Sequence, residues 1–242
     1  MYRGIYAAAS GMVASQARLD VIANNMANAN TNGFKRDMIA FDEALNRELW
    51  AEAGMGAPIG SLGTGPIERL RVTSFERGTI TATNNPLDVA IDQERGLFAI
   101  GTPTGVRYTR DGSFEMDAQR RIVTKGGDLL LDENMNPIRA PGFGTVEIRE
   151  DGSVLSNGTF VARIGLHDGV FRKYGDGAYD GSNTTLIRDI KLKPRSIEGS
   201  NVDMIESMVQ MIEVQRQYEL AQKSIQSQDE ATQRLIQGLQ GT

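Results

Sequence analysis

Apolar positions recur at two different periods along this chain, and the change of period divides it into parts. Near the N-terminus, Ile5, Ala8, Met12, Ser15, Leu19, Ile22, Met26 and Ala29 are spaced alternately by three and four residues. That spacing is the a/d seam of a helix built to pack on another helix, with several positions small enough for close approach. Gly4 and Gly11 each cost such a helix about 1 kcal/mol relative to Ala, so it is weak until packed. Near the C-terminus the same spacing runs through Met204, Met211, Val214, Tyr218, Ala221, Ile225, Thr232, Leu235 and Leu239, widened early by Ile205, Met208, Val209 and Ile212. At ~1.5 Å per residue, a helix from about Val202 to Gln237 reaches ~50 Å, too long for an ordinary globular helix. Ser200 or Asn201 is placed to cap its start, with Asp203 and Glu206 in the first turns, where the helix dipole favours acids. Nine glutamines from Gln210 to Gln240 give an outer face that is polar but weakly charged.

Between the helical ends the pattern shortens to strand length. Ile67–Ser74, Leu87–Ile91, Leu97–Ile100, Val106–Arg110, Ile122–Thr124, Asp128–Leu131, Val146–Ile148 and Phe160–Leu166 read as strands. Turn pairs separate them: Asn85-Pro86, Asp111-Gly112, Gly126-Gly127, Asn136-Pro137, Asp151-Gly152 and Asn157-Gly158. All seven prolines and 22 of the 27 glycines lie between Gly54 and Gly199, leaving the ends nearly free of breakers. The predicted organisation is a helical segment at 1–53, a Gly/Pro-rich linker at 54–66, a central β domain at 67–197 and a C-terminal helix at 198–242 pairing with the first. The fold class is α+β: long coiled-coil-forming terminal helices flanking a central antiparallel sandwich or barrel-like domain.

Composition narrows the chemistry. Net charge is −5 with no basic run, which leaves no electrostatic footprint for nucleic acid. There are no cysteines and a single histidine, His167, so disulfides, thiolate metal sites and most acid–base catalysis fall away. No apolar run is long enough to insert in a membrane, and the N-terminus lacks the charge and apolar pattern of a cleaved secretory signal. Asp88, Asp92 and Glu94 lie close together in sequence, but no His or Cys joins them, and solvated strand-edge carboxylates account for them more simply. His167 is expected on a loop, and the recurring Asp111-Gly112-Ser113 and Asp151-Gly152-Ser153 as a shared turn. No catalytic, metal or cofactor site can be assembled.

Asn24–Lys35 reads NNMANANTNGFK, where Asn28, Asn30 and Asn32 can bond backbone groups as the first helix ends and Gly33 can take positive φ. This strongly resembles the signature of flagellar rod and hook proteins, carried by Asn24, Asn25, Asn28, Asn30, Thr31, Gly33 and Phe34. NNPLDVAI at Asn84–Ile91, GVRYTRDGSF at Gly105–Phe114 and GSNVDMIESMVQMIEVQRQYE at Gly199–Glu219 extend the resemblance. In the last of these the matching positions include Asn201, Val202, Gln215, Arg216, Tyr218 and Glu219. The resemblance implies a non-enzymatic structural subunit of the basal-body rod that transmits motor torque. It further implies export by the flagellar type III apparatus without a cleaved signal, and a place in the rod spanning the periplasm. Partners would be copies of itself and neighbouring rod and hook proteins, met through Ile5, Met12, Leu19, Ile22, Met26, Met204, Ile205, Met211, Ile212, Val214, Tyr218, Ile225 and Leu235.

Within that family the opening RGIYAAASG and the NNPLDVAI…GVRYTRDGSF block resemble proximal-rod members, while the Gly-rich Gly54–Pro66 segment is similar to an extra segment of distal-rod members. Readings from other classes are an adhesin or an export chaperone using the helical ends to hold a partner. Limited proteolysis of the purified chain is expected to leave a resistant fragment near residues 67–195. Rapid cutting inside that span with protected ends would count against it.

Overall fold

The structure, a computed structural model, describes residues 2–43, 46–49, 60–63, 66–142, 144–175 and 177–240. The chain divides into two compact units. One comprises Met1–Ala27, Asp37–Val72 and Asp203–Thr242, the other Asn28–Arg36 and Thr73–Val202.

The first unit is built on two helices, α1 (Tyr2–Ala27) and α2 (Met204–Gln240). They run antiparallel: a Cβ placed on Gly4 would touch the Gln228 amide, while Ile22 and Val214 line one groove near the opposite end. Alternate three- and four-residue spacing puts Ser207, Met211, Val214, Tyr218, Ala221 and Ile225 on the less exposed side of α2, and Ala14, Ser15, Val21 and Ile22 among the buried positions of α1. Asp203 caps α2, its Oδ1 accepting from the amides of Ile205 (2.8 Å) and Glu206 (3.0 Å). The expected caps have other work. Ser200 Oγ accepts from Val202 N, and Asn201 bonds the backbone of Arg36, Ser74 and Glu76.

The first helix ends at Ala27, well short of residue 53, and Asp37–Glu43 is a strand paired with Pro66–Thr73. Asn25 helps set this extended conformation. Its side chain accepts from Asp37 N (2.9 Å) and donates to Asp37 O (2.8 Å), the two bonds a neighbouring strand would make. Part of the Gly-rich segment is also extended: Gly60–Gly63 pairs with Asn46–Leu49, and the rest lies largely outside the described residues.

The second unit is an antiparallel β domain. Leu97–Thr102, Gly105–Thr109, Ala178–Ile187 and Leu166–Gly175 pair in that order, and Leu166–Gly175 returns to Leu97–Thr102, closing a small barrel-like ring. From Leu97–Thr102 the sheet continues through Leu129–Leu130 and Ile122–Thr124 to Phe114–Met116. Strand alternation divides LFAI at Leu97–Ile100 between two cores. Phe98 packs with Val89, Ile91, Phe114, Leu130 and Leu166, whereas Leu97 and Ala99 pack with Tyr108, Leu131 and Tyr179.

A three-stranded meander of Val146–Ile148, Ser153–Ser156 and Thr159–Arg163 contains the expected Asn-Gly hairpin, with φ of 50° at Asn157 and 77° at Gly158. Asp111-Gly112 makes no hairpin, because the strands on either side of it take other partners. Its Asp nonetheless bonds Ser113 N as Asp151 bonds Ser153 N, which is the shared turn. Phe160–Leu166 is not one strand. The chain breaks at Ile164–Gly165, where Gly165 passes against the carbonyl of Asp132, and Leu166 opens the next strand.

His167 is on that strand and buried, not on a loop. Its ring lies 5.6 Å from the Tyr108 ring, its Nε2 makes no hydrogen bond, and burial pushes its pKa below the ordinary 6.5. In the window below 6.5 the unfolded chain binds the proton more readily, so stability falls as pH drops through it. Urea unfolding from pH 7.5 to 5 should show this acid slope, and His167→Gln, which cannot titrate, should flatten it. Equal slopes would mean that the imidazole is not held neutral.

Candidate functional site

The helical unit presents two distinct apolar faces. Ile5, Met12, Leu19, Ile22 and Met26 of α1 are all at least partly buried, as are Met211, Val214, Tyr218 and Ile225 of α2. Met204, Ile205 and Ile212 are not on that seam. With Met208 and Val209 they form an outward apolar face, Ile205 being 76% and Ile212 51% exposed. On α1, Tyr6 and Val13 are also exposed. The Leu235 side chain lies outside the described residues. Gln215, Arg216 and Glu219 are exposed on α2. A groove of about 320 Å³ lies between the helices and the Asp37–Glu43 strand, floored by Val21, Ile22, Val214 and Ile39.

The asparagine-rich segment leads into a buried ion cluster that the sequence did not disclose. Asn28 starts the turn, its carbonyl accepting from Thr31 N at 3.1 Å. Asn24, Asn30 and Thr31 remain exposed. Gly33 has φ of 66°, and a Cβ there would overlap the Arg110–Asp111 backbone, so glycine alone fits. Phe34 is buried under the Lys173 ammonium, 3.9 Å from its ring centre. Lys35 then points inward.

Its Nζ donates to Glu198 Oε1 (2.6 Å) and to the Glu76 carbonyl (2.7 Å). Glu198 also accepts from Arg110 Nε (2.6 Å) and Gly78 N (2.9 Å). Arg110 completes its fork on the carbonyls of Gly96 and Gln93. The side chains of Lys35, Glu198 and Arg110 are fully buried. Burial lowers the Lys35 pKa, partly countered by Glu198. Burial alone would raise that of Glu198, but Arg110 and Lys35 hold it below the ordinary carboxylate value. Lysine, arginine and glutamate at isolated positions in a polar stretch carry no sequence signal of burial.

The three acids singled out in the sequence take structural or solvent-exposed places. Asp88 is buried, contrary to expectation, but it accepts from Thr83 Oγ1 (2.6 Å) and Asn85 Nδ2 (2.8 Å) and so pins the turn before Val89. Asp92 pairs with Arg77, and Glu94 is exposed. Among the described residues no cluster of His, Asp and Glu could hold a metal, and no helix is long and apolar enough to cross a membrane. A cleft of about 580 Å³ in the β unit is lined by Thr102, Arg107, Thr109, Asp111, Lys125 and Tyr174. Arg107 is occupied there with Asp180 and the Tyr174 ring.

Three family models match the chain in order: "Flagella basal body rod protein" over residues 5–35, "Flagellar hook protein FlgE/F/G D1 domain" over 90–156, and "Flagellar basal body rod FlgEFG protein C-terminal" over 193–238. The flagellar basal-body rod protein FlgG of Buchnera aphidicola is 31% identical, covering 98% of this chain and 100% of the relative. FlgF of Caulobacter vibrioides is 30% identical over 99% of this chain and 98% of the relative, and FlgG of Bacillus subtilis is 31% identical over 98% of each. The chain belongs to the flagellar basal-body rod protein family. As a rod protein it is a structural, non-enzymatic component of the basal body.

Each of the three matched segments contributes one member of the buried cluster: Lys35, Arg110 and Glu198. Glu198→Gln would leave two buried cations without an anion, and about 3–5 kcal/mol of unfolding free energy should be lost. Lys35→Met keeps the Arg110–Glu198 pair, and its loss should be smaller, about 1–3 kcal/mol. Urea denaturation of both variants at neutral pH tests the order. The reverse order would contradict the assigned charge balance.

Proposed function

We propose that this rod protein is a proximal-rod subunit that polymerises with copies of itself and with neighbouring rod and hook proteins to transmit motor torque. The observation that carries assembly is the outward apolar face of α2 at Met204, Ile205, Met208, Val209 and Ile212. The seam through Met211, Val214, Tyr218 and Ile225 is already turned toward α1, and its seven-residue repeat supports a short antiparallel coiled coil. A neighbouring subunit therefore uses the other face. Different patches on successive copies make a contact that need not close on itself, which is how a helical polymer grows.

Finer points rest on the sequence. The RGIYAAASG opening and the NNPLDVAI…GVRYTRDGSF block favour the proximal rod over the distal rod. The resemblance to rod and hook proteins favours type III export, with the rod crossing the periplasm. The helical unit, with α1 and α2, serves assembly. An adhesin or export chaperone is the less economical reading, because the first helix already pairs with the second.

The two faces predict different failures. Ile22→Asp places a carboxylate in the buried seam, which costs several kcal/mol, about 3 or more, and should unpair the helices within the monomer. Ile212→Asp on the exposed face should leave the monomer's helical content unchanged within about 10% yet abolish completed rods. Circular dichroism of the monomer and counts of intact hook–basal bodies measure the two effects. Normal rods from Ile212→Asp would remove that face from the interface.

A further inference from the structure

We infer that the Lys35–Glu198–Arg110 cluster, together with Asn201, is a clamp that closes the long loop between α1 and α2 and so makes helix pairing depend on the β unit. The chain crosses between its two units at residues 27/28, 36/37, 72/73 and 202/203. Segments adjoining all four crossings are tied to one another inside the β unit. Gly33 N donates to Glu198 O (2.7 Å), and Asn201 N donates to Phe34 O (3.3 Å). Arg36 N donates to Asn201 Oδ1 (2.7 Å), and Asn201 Nδ2 donates to the carbonyls of Ser74 (3.0 Å) and Glu76 (3.1 Å). Ser74 N returns a bond to Arg36 O at 2.9 Å. The ion cluster lies beneath this mesh, joining Lys35, the Glu76–Gly78 backbone, Arg110 and Glu198.

Loop closure gives the arrangement a consequence. α1 ends at Ala27 and α2 begins at Met204, so with the β unit folded but the clamp open, 28–73 and 198–203 leave roughly 50 residues of free path between two helices that must meet. Once 33–36 is bonded to 198–201, the free path between the helices shrinks to about a dozen residues. The three-halves power of that ratio raises their encounter on the order of 10-fold. Charge rather than apolar packing suits the task. An apolar trio of the same volume would stabilise the core as well, but it would tolerate wrong partners. One carboxylate that needs donors from Lys35, Gly78 and Arg110 is satisfied only when all three segments have arrived. The cluster is fully buried, so it holds the protein's own segments and no ligand.

The test uses the full chain, whose lack of cysteines gives a clean background. Gly4→Cys and Gln228→Cys place two thiols at a point where the helices touch. A short bis-maleimide reads their pairing as intramolecular cross-linking, and hydrogen exchange at the Phe98 and Leu166 amides reads the sheet. In the parent the cross-link should form quickly. With Lys35→Met, or separately Asn201→Ala, its rate should fall on the order of tenfold or more while the sheet amides stay protected. Unchanged cross-linking in both variants would overturn the clamp. So would a parent that does not cross-link. Loss of sheet protection in step with cross-linking in both variants would also overturn it, making the cluster a general stabiliser of the β unit.

Discussion

A single buried carboxylate organises the middle of this molecule. Glu198 has no access to water, so its charge is tolerable only because Lys35, Arg110 and the Gly78 amide donate to it. Those donors come from parts of the chain far apart in sequence. Around the carboxylate the cluster carries two cations and one anion, and Arg110 disperses its share onto the carbonyls of Gly96 and Gln93. Every group has a partner, which is the condition for a buried polar network to specify a structure rather than weaken it.

The requirements of that network explain residues that look unremarkable alone. Gly33 brings its backbone against Arg110–Asp111, and its amide bonds the Glu198 carbonyl. Asn201 is drawn away from helix capping because its amide side chain is needed by Arg36, Ser74 and Glu76, and the cap passes to Asp203. The three segments that match flagellar family models meet at this point, so the resemblance along the sequence and the contact in space describe the same constraint.

The helical unit solves a different problem. A helix of 37 residues with apolar positions on more than one side cannot satisfy them all with one 26-residue partner. The seam toward α1 takes Met211, Val214 and Tyr218, and the first turns of α2 keep Ile205, Val209 and Ile212 facing outward. For an isolated protein that face is a liability; for a component of a polymer it is the means of assembly. Gln215, Arg216 and Glu219 add polar groups on the exposed side, where contacts tolerate water.

Local pattern determined much of this protein. Alternating three- and four-residue spacing marked both helices, the Asn157-Gly158 pair marked its hairpin, and the order of motifs marked the family. These are legible because helix seams and tight turns are satisfied by residues near in sequence. Tertiary structure decided the rest. Whether Ile212 faces α1 or solvent depends on where the partner helix lies, and spacing cannot report that. Leu166–Gly175 and Ala178–Ile187 form strands although charged, glycine or small polar residues interrupt their apolar pattern, because pairing with Gly105–Thr109 and Leu97–Thr102 closes the ring. His167 is buried because that closure covers it, and Lys35 is buried because Glu198, 163 residues along the chain, and Arg110, itself 88 residues before Glu198, close around it. Such long-range pairings leave no periodic trace, since each residue supplies only one part of an interaction that exists when the chain has folded.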